Sequence, residues 1–366
     1  MTSHPGRKRI FAPAAAVAAA IAAPLLAACS APHTGAAVRP GGTAHSRTAA
    51  TDPASPAARR SPPSTAPAST PGIGTLGAFA VRDRWVTFTE PAHTGVTGQH
   101  LPSRVLLTQF FFPVPRSSPG AGPVKGPLPL VVFGPGFMQC GAPYAKLLRA
   151  WATAGYVVAV VNFPRSDCKV GSAATESDMV NQPGDMSYVI TRVLALSRAR
   201  KGFFAGLIDA RQVAVTGQSD GGDTVAAVAA NTCCTDRRVA AVAVLSGAEW
   251  PPMPGQYFTR RPVPLLFTQG SADTINPPGC SVVMYRADPA RERFYLDLFG
   301  ASHTGPYWGV NKFEKVTARV TTAFFDRFVL GQDAAGTAMR RDGSVPGLAA
   351  LYSAGRGSFP STYCNT

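Results

Sequence analysis

The order of apolar segments constrains this chain most. From residue 128 onward, runs rich in Val, Leu and Phe alternate with longer stretches of helical periodicity. The spacing predicts strands over 128–133, 156–162, 212–216, 239–246, 263–269 and 293–298, with helices over 144–154, 186–200, 220–231, 281–286 and 312–330. Strands joined by helical crossovers pair in parallel and need helices on both faces, so the expectation is an α/β fold. Residues 85–90 and 104–114 add two antiparallel edge strands, which makes an eight-stranded, mostly parallel sheet. The tail after Gly331 is Gly-rich and weakly patterned, with Cys364 as a candidate pin at its end.

The chain ahead of this pattern has a different character. Of the 36 Gly and 34 Pro in the 366 residues, 7 and 11 fall in the first 78. Arg7, Lys8 and Arg9 precede an uncharged stretch that ends in Leu26-Ala27-Ala28-Cys29. These are the charged, apolar and small-residue parts of an export signal over 1–28. The final quartet resembles a bacterial lipobox, which implies lipidation of Cys29 and anchoring to the bacterial membrane at the cell surface. Residues 29–78 are mostly Ala, Pro, Ser, Thr and Gly; such a segment buries too little to offset its ordering entropy and is expected to be a tether. As a coil it would span about 40 Å. The folded domain is then expected over 79–366, acting as a monomer.

Charge and cysteine content narrow the partners. The formal charge is +15, and the signal and tether each carry a net +3, which leaves +9 on the rest. Lys and Arg are scattered without an aromatic-interleaved stripe, so nucleic acid is not an expected partner. Apart from Cys29, the cysteines are Cys140, Cys168, Cys233, Cys234, Cys280 and Cys364, an even number suited to disulfides in an oxidising compartment. They lack paired C-x-x-C spacing and His is scarce, so no metal site is expected. Cys140 and Cys168 follow adjacent parallel strands and are candidates to bond to each other beside the cleft.

Chemistry concentrates in Gly217-Gln218-Ser219-Asp220-Gly221-Gly222, between a predicted strand and a small-residue helix. This is the setting of a G-x-S-x-G nucleophile elbow, where a sharp strand-to-helix turn lifts the serine above the sheet edge. A serine hydroxyl needs a base, and His is the usual one. Of the six histidines, His4, His33 and His45 fall in the signal and tether, and His93 and His100 in the loop between the two edge strands. His303, just after the last parallel strand, remains. Asp273 follows the strand before it and is the favoured acid, with Glu249 as competitor; Asp297, inside a strand, reads as structural. The N–H groups of Phe137, in a Gly-rich loop after the first parallel strand, and of Asp220 are the candidate oxyanion donors. Phe137, Trp250 and either Tyr307 or Trp308 are candidates to line an apolar cleft, against the alternative that each packs in the core. No cofactor is implied.

Taken together, residues 130–137, 217–222, 272–275 and 300–303 resemble, in order and spacing, the dienelactone-hydrolase-like branch of the α/β hydrolases. That branch includes cutinase-like polyesterases, platelet-activating-factor acetylhydrolase-like lipases and chlorophyllase-like proteins. The resemblance covers roughly 82–330 and implies a Ser219–His303–Asp273 triad that cleaves carboxylic esters through an acyl-enzyme. It also implies that Phe137 clamps the substrate and Trp250 lines the cleft. Two residues depart from the pattern: Gln218 stands where His or Trp is frequent, and Asp220 where an apolar or basic residue is usual.

Overall fold

The computed structural model describes residues 72–259 and 263–354. The expected export signal, Cys29 and Cys364 lie outside the described residues. Strands β1 (Ala80–Glu90) and β4 (Arg104–Val114) flank a small ladder of β2 (His93–Thr94) and β3 (His100–Leu101). Then come β5 (Leu128–Gly134), α1 (Ala145–Thr153), β6 (Val157–Asn162), α2 (Gln182–Arg198), β7 (Ile208–Gln218) and α3 (Asp220–Ala230). Finally β8 (Val239–Leu245), β9 (Leu265–Gly270), α4 (Pro278–Ala287), β10 (Arg293–Leu298), α5 (Lys312–Phe328), α6 (Ala335–Gly343) and β11 (Ala349–Ser353) complete the order.

The main sheet runs β1-β4-β6-β5-β7-β8-β9-β10-β11. All pairings from β6 to β10 are parallel, while β1, β4 and β11 pair antiparallel at the two edges. The parallel strands β5 and β6 are buried along their whole length, because helices cover both faces. Alternation along each strand divides the core into two layers. Leu130, Val132, Val213, Val215 and Phe267 meet α2, α3 and α4 on one face; Val131, Phe133, Leu245, Leu266 and Leu296 meet α1, α5 and α6 on the other. Polar bonds lock α1 and β6 to α5: Trp151 Nε1 donates to Thr321 Oγ1 at 2.9 Å, and Tyr156 Oη donates to Asp326 Oδ1 at 2.6 Å.

The sheet has nine strands rather than eight. The additional strand, β11, lies in the tail that carries no clear pattern; its backbone pairs with β10, and main-chain pairing at an edge leaves little trace in side-chain alternation. α6 precedes it and sends Met339 into the core. At the other end the folded region begins before residue 79. Gly74 N donates to Ala154 O and Phe79 N to Thr153 O, so residues expected in the tether close over the end of α1, with Ile73 packed on the core.

Candidate functional site

Ser219 sits in the one-residue corner between β7 and α3, with φ 56° and ψ −125°. This left-handed region costs a residue with a side chain about 1–3 kcal/mol, so the surroundings must hold it there. They do: Ser219 N donates to Leu245 O at 3.0 Å, and Ser219 O accepts from Asp223 N at 2.9 Å. The corner is this tight only because α3 begins directly on the end of β5. A Cβ on Gly221 would lie 1.9 Å from Gly134 O, a distance that no side chain can occupy.

The turns after β9 and β10 bring two more residues to the same sheet edge. His303 Nε2 is 2.9 Å from Ser219 Oγ, and His303 Nδ1 is 2.8 Å from Asp273 Oδ2. Asp273 is itself fixed by donors on both oxygens. Oδ1 accepts from the N–H groups of Ile275 and Asn276 at 2.9 and 3.0 Å, and Oδ2 accepts from Gln269 Nε2 at 2.8 Å. Ser281 Oγ holds the far end of Gln269 by donating to its Oε1 at 2.6 Å. Glu249 lies instead in the loop after β8, where burial pushes its carboxyl up from the ordinary value. His93 faces Leu101 and His100 faces Thr94 across the β2–β3 ladder, remote in sequence and element from this edge.

The Gly-rich loop after β5 lies against the Ser219 corner. A Cβ on Gly136 would be 3.1 Å from Ser219 Cβ and 3.0 Å from Gln218 Oε1, so the loop backbone leading into the half-buried Phe137 lies close against the corner. Gly136 N donates to Tyr144 Oη at 3.2 Å, and Tyr144 Oη donates to Gln218 Oε1 at 2.7 Å. Gln218 Nε2 lies 3.1 Å from His303 Nε2 and donates to His303 O at 3.3 Å. Burial pushes the Tyr144 phenol up to about 12, which keeps it a neutral donor at physiological pH.

Asp220, beside Ser219, is 6% exposed, and its Oδ2 has no hydrogen-bond partner. Burial, then the nearby Glu176, push its carboxyl up to about 7. Protonated, it is neutral and leaves its surroundings compatible with an anion at the start of α3. Glu176 opens a short 3-10 helix, Glu176–Asn181. Arg104 on β4 bridges Asp178 in that helix and Asp185 in α2, with all three side chains buried.

No family model matches this chain, and no curated protein does. The site can transfer a proton from a serine hydroxyl to an imidazole oriented by a carboxylate, with backbone N–H groups of a loop and a helix start nearby. Among the described residues, no cluster of three or more His, Cys, Asp or Glu side chains could hold a metal ion.

The candidate lining residues separate. Tyr307 belongs to the core: it is fully buried, its hydroxyl donates to Thr268 O at 2.9 Å and lies 2.9 Å from Ser246 Oγ. Trp308 is half-buried and edge-on to Tyr144, with ring centroids 6.0 Å apart. Trp250 lines a cavity of about 600 Å³ with Glu249, Met253, Tyr257, Phe258 and Val283, a lining without any of Ser219, Asp273 or His303. Cys140 and Cys168 form a disulfide with a Cα separation of 5.3 Å, which braces the loop after β5 to the loop after β6. Cys233 and Cys234 are bonded to each other. Sequence reasoning missed Gln269 and Tyr144 as supporting residues. The only trace of Gln269 was a polar residue at the end of an otherwise apolar strand; Tyr144 had none.

Proposed function

We propose that this protein is an exported serine carboxylic ester hydrolase with an α/β-hydrolase fold, anchored by lipid at Cys29. The observation that carries the reading is the continuous Ser219–His303–Asp273 contact chain, at 2.9 and 2.8 Å, on a serine held at positive φ between a strand and a helix. Ser219 Oγ attacks the ester carbon while His303 takes its proton. The N–H groups of Phe137 and Asp220 receive the oxyanion, Asp273 holds the imidazole, and His303 passes the proton to the leaving alcohol. Water, deprotonated by His303, then attacks the acyl-enzyme, and the acid leaves. The substrate class that suits the resemblance and the half-buried aromatic residues Phe137 and Trp308 is a short-chain ester or a polyester.

A fluorophosphonate probe tests the reaction class. The wild type is expected to label stoichiometrically, and Ser219→Ala to lose both labelling and roughly 10⁶-fold in kcat on a p-nitrophenyl ester. An unlabelled wild type, or equal labelling of Ser219→Ala, would refute the proposal and favour a surface binding protein of the same fold. An ester series of increasing acyl length, beside a polyester film and a phospholipid, separates esterase from lipase action.

A further inference from the structure

We propose that Gln218 is a positioning residue that sets the tautomer of His303 from the side opposite Asp273. A backbone N–H can only donate, so the contact between Gly136 N and Tyr144 Oη, at 3.2 Å, makes the phenol oxygen an acceptor there. Its single hydrogen is then free for the Gln218 oxygen 2.7 Å away. That contact orients the amide, with Oε1 toward Tyr144 and Nε2 toward His303. Because the Gln218 amide nitrogen carries only donors, the ring nitrogen 3.1 Å from it must offer a lone pair. His303 Nε2 is thus unprotonated and Nδ1 carries the hydrogen that Asp273 accepts at 2.8 Å.

Polarity therefore runs from the loop after β5 through Tyr144 and Gln218 to the imidazole, and it ends in the tautomer that can receive a proton from Ser219. Gln218 is suited to this task because it is 1% exposed and cannot exchange these partners for water. Its second amide hydrogen, on His303 O at 3.3 Å, ties it to the backbone of the same loop. When Nε2 takes up the serine proton, the first amide hydrogen loses its acceptor, while the second keeps His303 O. Gln218 touches the base and not the substrate, so its contribution is to orientation. The catalytic consequence rests on the hydrolase reading; the tautomer assignment does not.

The test uses the full chain with ¹⁵N-labelled histidine and long-range ¹H–¹⁵N correlation, the His303 signals being assigned by their loss in His303→Asn. Wild type is expected to show a protonated Nδ1 and a bare Nε2. In Asp273→Asn, where the carboxylate no longer imposes this state, a measurable Nδ1–H population is expected to persist. It is expected to vanish in Asp273→Asn combined with Gln218→Met, with a further fivefold to tenfold fall in kcat and little change in KM, as for the loss of one buried hydrogen bond. Tyr144→Phe combined with Asp273→Asn removes the group that orients the amide, leaves Gln218 in place and is expected to give the same shift, which covers a Gln218→Met chain that fails to fold. An identical tautomer ratio in Asp273→Asn with and without Gln218, or with and without the Tyr144 hydroxyl, would overturn the proposal. Absence of fluorophosphonate labelling would overturn the hydrolase reading alone, because the tautomer is read without turnover.

Discussion

Replacing Asp220 by Asn removes one ionisable proton and keeps the side-chain shape. In the wild type, burial and then Glu176 move this carboxyl from 3.8 up to about 7, and the adjacent Asp223 is pushed up by its own burial and by Asp220. Tyr144 also faces Asp220 and stays neutral over the range concerned. The folded protein therefore retains a proton that the unfolded chain has already released. Stability from this group is fully present below about pH 4 and is lost as pH rises through about 7. At about 1.4 kcal/mol per pH unit the loss approaches 4 kcal/mol, an upper bound since partial opening of the corner would hydrate the charge. Asn has no proton to lose, so the variant escapes this loss.

The assay is thermal unfolding followed by circular dichroism from pH 4.5 to 8.5, at one scan rate, for wild type and Asp220→Asn. Each kcal/mol moves the midpoint of a domain this size by about 2–4 °C, so the variant is expected to gain roughly 5–10 °C on the wild type between the two ends of the range. Any fixed cost from the unpaired Asn amide shifts the whole comparison and leaves its slope alone. Glu176→Gln in the wild-type background should flatten part of the same slope, because Glu176 is the second cause of the Asp220 displacement. A midpoint difference that stays constant with pH, or that moves against the variant as pH rises, would show that Asp220 is already ionised and partnered in the folded state.

Gly221→Ala should be poorly tolerated, because the new Cβ would press on Gly134 O and Pro135 O in the backbone of the facing loop; a loss of at least about 3 kcal/mol and of fluorophosphonate reactivity is expected. Gly184→Ala, whose Cβ would meet open space in α2, is the control and should stabilise by up to about 1 kcal/mol in urea unfolding. Arg104→Met strands the buried Asp178 and Asp185 and should cost about 3–5 kcal/mol at pH 7.5. That cost should shrink at pH 4.5, because burial raises the Asp185 carboxyl to about 7 and an uncharged acid needs no cation; equal losses at both pH values would contradict this.

The parallel strands and the helices between them were legible because burial on both faces demands long apolar runs, as in Leu128–Gly134 and Val157–Asn162. β11 was not, since an edge strand is held by main-chain pairing to β10 and its residues Ala349–Ser353 need no alternation. Ser219 and His303 were found by local turn chemistry and by elimination among six histidines, both properties of the linear chain. Asp273 was favoured there over Glu249, on its turn of small neighbours. Both carboxylates follow strands, and only the fold brings one of them within 2.8 Å of His303 Nδ1. Tyr144 and Gln218 act through contacts between segments far apart in sequence, and Gln269, four residues before Asp273, through a turn whose geometry the fold sets; linear spacing carries no record of which donor meets which acceptor. The sequence by itself thus determined the strand order's raw material, the tight turn that carries Ser219 and the choice of His303 as its candidate partner, because these depend on local sterics and composition. The packed fold decided which carboxylate meets His303, the upward shift of the Asp220 carboxyl and the contacts around the imidazole, because these depend on burial and on partners that only folding assembles.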